Sequence, residues 1–146
     1  MRSSSLTLLL TTARLCACAQ AQTHEVKMLT RSATAGMVYE PTYLHIAPGD
    51  TVKFIPTQSG HNAATLPGLL PEGATAFKGK INQETEQTFN VPGLYGIQCI
   101  PHLAMGMVML IQVGEPSAQA AQLPATLPKR ALDRLQATLD QQQATK

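Results

Sequence analysis

Nine residues constrain this chain more than any others: Cys99-Ile100-Pro101-His102-Leu103-Ala104-Met105-Gly106-Met107. They put a thiol, an imidazole and two thioethers into one short stretch. Pro101 and Gly106 favour a tight loop over a helix there. Before the stretch, Leu94 to Cys99 reads as a strand with Tyr95, Ile97 and Cys99 on one face. After it, Met107 to Val113 is a continuous apolar strand that Gly114 ends. A further histidine, His61, lies upstream in a Gly-His-Asn turn. A thiolate, two imidazoles and a weakly held thioether form a trigonal His₂Cys copper site, acceptable to both copper oxidation states. His61, Cys99 and His102 are therefore candidate ligands to one copper ion, with Met105 or Met107 as the weak fourth.

Other chemistries fit these residues less well. Taken singly, Cys99 reads as a buried hydrophobe and His102 as an ordinary loop residue. Cys-x₂-His-x₄-Met directly after an alternating strand is rare by chance. Structural zinc takes four strong ligands and seldom methionine. Nucleophilic Cys–His catalysis needs an orienting Asn or Asp, and none is apparent. A lone copper site without a second histidine cluster leaves no place to convert a substrate, so no enzyme is expected. The competing reading is a periplasmic copper carrier or sensor, but six methionines are few for a Met-rich carrier. His45 reads as a strand surface residue and His24 as part of a mobile terminus.

The start of the chain bears on the cysteine. Residues 1–21 read as a signal peptide: Arg2 is a short basic region, an apolar run follows, and Ala19-Gln20-Ala21 is a cleavage site. The run is too short to span a membrane. Leu15-Cys16-Ala17-Cys18 also resembles a lipoprotein signal with Cys18 lipidated. Cleavage removes Cys16 and Cys18 and leaves Cys99 as the single cysteine. Such a thiol in an oxidising compartment has no internal partner, and metal ligation would protect it. Losing Arg2 and Arg14 also brings the charge from +2 to about zero. The basic residues form no stripe, so nucleic acid is not an expected partner.

The rest of the chain reads as short strands with turn signals, the pattern of a β-sandwich. Strands are expected at 24–30, 37–41, 42–46, 51–55 and 87–91, besides the two flanking the nine residues. Pro48-Gly49-Asp50 is either a hairpin turn or a corner between sheets. Residues 56–80 form a long irregular connection anchored by Leu66, Leu69, Leu70 and Phe77. Residues 22–114 make one domain, and 115–146 form a C-terminal extension. Within that extension, 115–127 is a linker or short helix. Pro128 then suits the first position of a helix. Ala131, Leu132, Leu135 and Leu139 give this helix one apolar stripe, and it should fray from Gln141.

With these residues in view, the chain resembles the pseudoazurins, small periplasmic cupredoxins. The resemblance runs from residue 24 to about 142. It is carried by Glu25-Val26-Lys27-Met28-Leu29, Met37-Val38-Tyr39-Glu40-Pro41, Pro48 to Pro56, Gly60-His61-Asn62, Phe77 to Asn82 and the copper loop. It implies a mainly β, eight-stranded Greek-key sandwich with C-terminal helices, one type 1 copper, and Met107 rather than Met105 as the axial ligand. It implies that Asn62 offers its N–H to the Cys99 sulfur and ties the His61 turn to the loop, and that Met37 packs on His102. Relatives usually carry Thr after the cysteine; Ile100 here lacks that hydroxyl, although its backbone should still bond Asn62.

The resemblance further implies a monomeric electron carrier working with c-type cytochromes and copper nitrite reductase in denitrifying bacteria. An apolar patch of Met37, Pro101, Leu103, Ala104 and Met105 would surround His102, as partner surfaces do. Arg31, Lys78 and Lys80 are its candidate rim charges. Ser59 and Gln98 stand where relatives often carry lysine. Association with an acidic partner should therefore depend on salt less steeply than in a lysine-ringed relative. Stopped-flow rates against ionic strength test this, and a steep fall with added salt would contradict it.

Overall fold

The computed structural model describes residues 20–116 and 122–145. The leader reading, with Cys16 and Cys18, lies on residues outside that range, apart from Gln20 and Ala21. So does part of the 115–127 linker.

Eight strands in the described residues form two four-stranded sheets. In the first, β1 (Thr23–Arg31) pairs antiparallel with β2 (Gly36–Glu40) and parallel with β4 (Asp50–Ile55), which pairs antiparallel with β6 (Thr85–Phe89). In the second, β8 (Val108–Val113) lies between β3 (Tyr43–Ile46), to which it is parallel, and β7 (Gly93–Gln98), to which it is antiparallel. A two-residue strand, β5 (Ala64–Thr65), closes the edge beside β7.

Alternation explains which sheet face meets which. Val26, Met28, Val52, Phe54 and Phe89 point inward from the first sheet. Ile46, Tyr95, Ile97, Met109, Ile111 and Val113 meet them from the second. Phe77, from the long connection, packs between Phe54 and Phe89 at centroid distances of 5.9 and 6.2 Å. β8 is apolar from Val108 to Ile111 because both of its faces are covered, and the buried Gln112 donates through Nε2 to nearby backbone carbonyls. Its odd-numbered residues face the opposite sheet, while Val108 and Leu110 lie in a second cluster beneath helix α1 (Lys129–Ala144). Ala131 and Leu135 are the buried residues of that helix.

Pro48-Gly49-Asp50 is a corner between sheets, not a hairpin, since β3 and β4 belong to different sheets. Gly49 takes φ +95°, a left-handed value that favours glycine. The buried Asp50 carboxylate then ties the corner to the start of β1. It accepts from Ala47 N (3.0 Å), Gln22 N (2.9 Å) and His24 Nε2 (2.8 Å). His24 is thus held in a strand and is not part of a mobile terminus.

Other boundaries differ from expectation for local reasons. β6 ends at Phe89, because its partner β4 begins at Asp50, opposite Phe89. Val91 falls in the following turn, where its carbonyl accepts the Tyr95 hydroxyl at 2.7 Å. β5 has no periodicity to read in two residues. Helix α1 stays regular to Ala144, with Gln136 bonded to Asp140 and Thr145 Oγ1 bonded to the Gln141 carbonyl. It is the one α-helix among the described residues.

Hydrogen bonds from Gln22 and His24 hold the Asp50 carboxyl below its ordinary value, partly offset by burial. A depressed carboxyl pKa stabilises the fold above the unfolded value and loses that contribution as pH falls through the folded value. Asp50→Asn should therefore flatten the acid limb of thermal stability between about pH 5 and pH 2. Melting curves across that range check it; parallel profiles for the two proteins would contradict it.

Candidate metal centre

Cys99 follows directly on β7, and Met107 directly precedes β8. The loop between them is closed by Cys99 N–H donating to Met107 O at 3.0 Å, which continues the ladder of the two strands. Inside it, Ile100–Met105 forms a short 3₁₀ segment, where a non-helical loop was expected. Pro101 is compatible with this, because the first turn of a helix needs no N–H from it. The segment kinks at His102 (φ −120°, ψ 17°) and stops at Gly106, whose φ of +80° is left-handed. His102 N–H bonds Cys99 O (3.1 Å) and Met107 N–H bonds His102 O (3.1 Å), so the imidazole is held from both sides of its backbone.

His61 arrives from the long connection after β4 and is fully buried. Its turn is held by Asn82, whose Oδ1 accepts Gly60 N–H at 2.5 Å and whose N–H donates to His61 O at 2.9 Å. Three donor atoms converge there. His61 Nδ1 lies 3.1 Å from His102 Nδ1 and 3.8 Å from Cys99 Sγ, and Cys99 Sγ lies 3.5 Å from His102 Nδ1. Donors bound at about 2.0–2.3 Å to one ion with trigonal angles stand roughly 3.5–4.0 Å apart. The cluster thus fits a metal ion with little adjustment, and it is the one such group found among the described residues.

The free ring nitrogen of His61, Nε2, lies 2.9 Å from Thr30 Oγ1, which leaves Nδ1 facing the cluster. Such bonds to the remote nitrogen orient a ligating imidazole. Nothing in the sequence pattern singles out Thr30, which is simply the penultimate residue of β1.

Electrostatics point the same way. Burial pushes the His61 pKa down, and His102 adds to this, so His61 is neutral with a lone pair to offer. Burial pushes the Cys99 thiol up, against opposing backbone N–H groups of Asn62 and His102. A thiolate here calls for a cation beside it, and metal binding would release the thiol proton.

Asn62 uses every polar group it has. Its N–H faces the Cys99 sulfur, Oδ1 accepts Ile100 N–H (2.9 Å), Nδ2 donates to Gly79 O (3.0 Å) and its carbonyl accepts the Tyr39 hydroxyl (2.7 Å). One side chain therefore fastens the His61 turn, the Cys99 loop and the Gly79 strand-like segment together. Tyr39 is a second residue that periodicity assigned only to a strand.

The two methionines part company. Met107 is buried in the same core cluster as Cys99, whereas Met105 is 43% exposed. Met37 is half-buried, at the start of β2 with a left-handed φ of +52°. Pro101 and Ala104 are exposed, as are Arg31, Lys78 and Lys80. Leu103 instead turns partly inward onto the helix cluster. Gln98 is buried and donates to Thr65 O at 3.0 Å, so that position is not on the rim. Ile100 is 42% exposed and joins the apolar surface.

A two-sheet sandwich closing a His₂Cys cluster at one end defines a copper protein of the cupredoxin class. The family model of copper-binding proteins, plastocyanin/azurin family, matches residues 26–114. Pseudoazurin of Paracoccus pantotrophus is 45% identical over 122 residues, 83% of this chain and 84% of that one. A putative pseudoazurin of Rhizobium leguminosarum is 46% identical over 119 residues, 81% and 78% of the two chains. The solved pseudoazurin of Methylobacterium extorquens superposes with a TM-score of 0.68 at 37% identity, covering 80% of this chain and 98% of that one. The chain belongs to the pseudoazurins, blue copper electron carriers of the plastocyanin/azurin family.

Ile100 bonds Asn62 through its backbone N–H, and its side chain lies on the exposed apolar surface. Ile100→Thr should therefore leave the visible spectrum and reduction potential of the copper-loaded protein unchanged. A shift in either on titrating the variant electrochemically would show that the side chain does reach the centre.

Proposed function

We propose that His61, Cys99, His102 and Met107 hold a single type 1 copper that shuttles one electron at a time between periplasmic redox proteins. The observation that carries this reading is the convergence of three ligand atoms within 4.8 Å of one another, one of them the sulfur of the buried Cys99. Copper bound there supplies a Cu(I)/Cu(II) couple. The chain's own residues supply rigidity. The Cys99–Met107 backbone bond and the four bonds of Asn62 restrain ligand movement, which keeps reorganisation small when an electron arrives.

His102 is the half-buried member of the set, while His61, Cys99 and Met107 are fully buried. Electrons would enter and leave through its ring. Exposed Ile100, Pro101, Ala104 and Met105 surround it as the docking face, and Arg31, Lys78 and Lys80 supply positive charge. A c-type cytochrome as donor and copper nitrite reductase as acceptor fit such a surface. Substrate turnover by this chain itself is not part of the proposal. A copper carrier or sensor would favour exposed, exchangeable ligands, and three of the four here are buried.

Export completes the proposal. Residues 1–21 act as the leader, 22–114 form the copper domain and 115–146 the extension packed on it. Support comes from Gln22 N, 2.9 Å from the Asp50 carboxylate. Cleavage before Gln22 would turn that N–H into an ammonium facing a buried carboxylate. Among the described residues no helix is long and apolar enough to cross a membrane.

Produced with its leader in a bacterium with a periplasm and loaded with copper, the protein should be recovered as an intensely blue monomer whose mass begins at Gln22. Cys99→Ser should begin at the same residue and lack the colour. Retention of colour in that variant would overturn the ligand set, and a lipid-modified Cys18 or an uncleaved leader would overturn the export reading.

A further inference from the structure

Arg134, on helix α1, has a guanidinium drawn out of solvent, and among the described residues no carboxylate pairs with it. It donates instead to three backbone carbonyls: Nη1 to Met37 O (2.6 Å) and Gly106 O (2.8 Å), and Nη2 to Gly36 O (2.8 Å). Partial burial and the neighbouring Arg130 both disfavour its charge. The rigid fork of a guanidinium suits it to bridging several acceptors, which the point charge of a lysine cannot do equally well.

The three carbonyls belong to two places that need holding. Gly106 is the left-handed corner that separates Met105 from Met107, and its carbonyl also accepts Val108 N–H at 3.0 Å. Gly36 and Met37 open β2, and Met37 is a non-glycine residue at φ +52°. Helix α1 lies hard against the corner: a Cβ on Gly106 would stand 2.9 Å from Arg130 Cγ, 3.0 Å from Arg130 O and 3.1 Å from Arg134 Cδ. A shift of Gly106 would pass directly to Met107, and through the Met107 N–H···His102 O bond to His102.

We propose that Arg134 is a positioning residue of the copper centre, locking the Gly106 corner to the start of β2 and thereby setting Met107 and His102 against His61 and Cys99. This rests on the ligand set proposed above. It makes the C-terminal helix part of the metal site, acting through one side chain, and not merely a cover for the outer face of β8. Because an axial thioether tunes the potential of such a centre, loosening the corner should be read out at the metal.

The test compares Arg134→Met and Arg134→Lys with Leu135→Ala, a buried neighbour on α1 that bonds none of the three carbonyls. In the copper-loaded proteins, Leu135→Ala should lower the melting temperature while leaving the reduction potential and the visible and electron paramagnetic resonance spectra unchanged. Arg134→Met should shift the potential and both spectra, with Arg134→Lys in between. In the copper-free proteins, amide exchange at Gly106 and Met107 should rise about tenfold or more in Arg134→Met but not in Leu135→Ala. If Arg134→Met changes only the melting temperature, or if Leu135→Ala shifts the potential equally, the effect belongs to helix packing and the proposal fails. Were the wild-type protein itself not blue, the ligand set would fail, while exchange in the copper-free proteins would still decide whether Arg134 holds the corner.

Discussion

The bond from Cys99 N–H to Met107 O is the constraint on which the site depends. It extends the β7–β8 ladder past its last strand pair, Gln98 with Val108, and so fixes the two ends of the loop at strand geometry. Between those ends the chain has only seven residues to leave and return. The 3₁₀ turns, the kink at His102 and the left-handed Gly106 are how it does so. A loop anchored in this way has few alternative shapes, which is what a metal centre needs if its ligands are to stay put through a change of charge.

The second requirement is to bring His61 to that loop from a segment with little regular structure. Asn62 and Asn82 meet it by polar means. Their side chains replace the ladder bonds that a strand would have provided, and no buried side-chain donor or acceptor is left unpaired among the described residues. The Tyr39 hydroxyl bond to the Asn62 carbonyl is buried, and breaking it would leave a partner stranded at a cost of about 1–3 kcal/mol. The apolar packing of Phe54, Phe77 and Phe89 holds the same connection from below. Burial then acts on the chemistry: it pushes the His61 pKa down and the Cys99 thiol up, disfavouring the charged form of each.

Much of the architecture was legible because alternation in a half-buried strand is a direct imprint of its two environments. Val26 and Met28, Val52 and Phe54, and Tyr95, Ile97 and Cys99 all turned out to share the inward faces that their spacing indicates. The apolar run at 107–113 was legible as a strand, but not that it is covered on one side by a helix. Periodicity was silent on β5, which is two residues long, and on the kinked 3₁₀ segment, where proline and glycine signal a turn without specifying its geometry. The ordering of His24 has no local signature, because its neighbours in sequence carry no mark of the partner, Asp50, that lies 26 residues away.

By itself the sequence determined the chemistry available at the site: one thiol between two strands, an imidazole three residues on, a thioether five further, and a second imidazole in an upstream turn. Those are properties of residue type and short spacing, and the chain carries them whatever its fold. Only the tertiary structure decided which atoms meet. It set the 3.1–3.8 Å triangle, aimed His61 through Thr30, buried Met107 and exposed Met105, and brought Arg134 onto a corner 28 residues away. The reason is that these contacts join segments far apart in the chain, and their geometry follows from how two sheets and a helix pack, which no local pattern encodes.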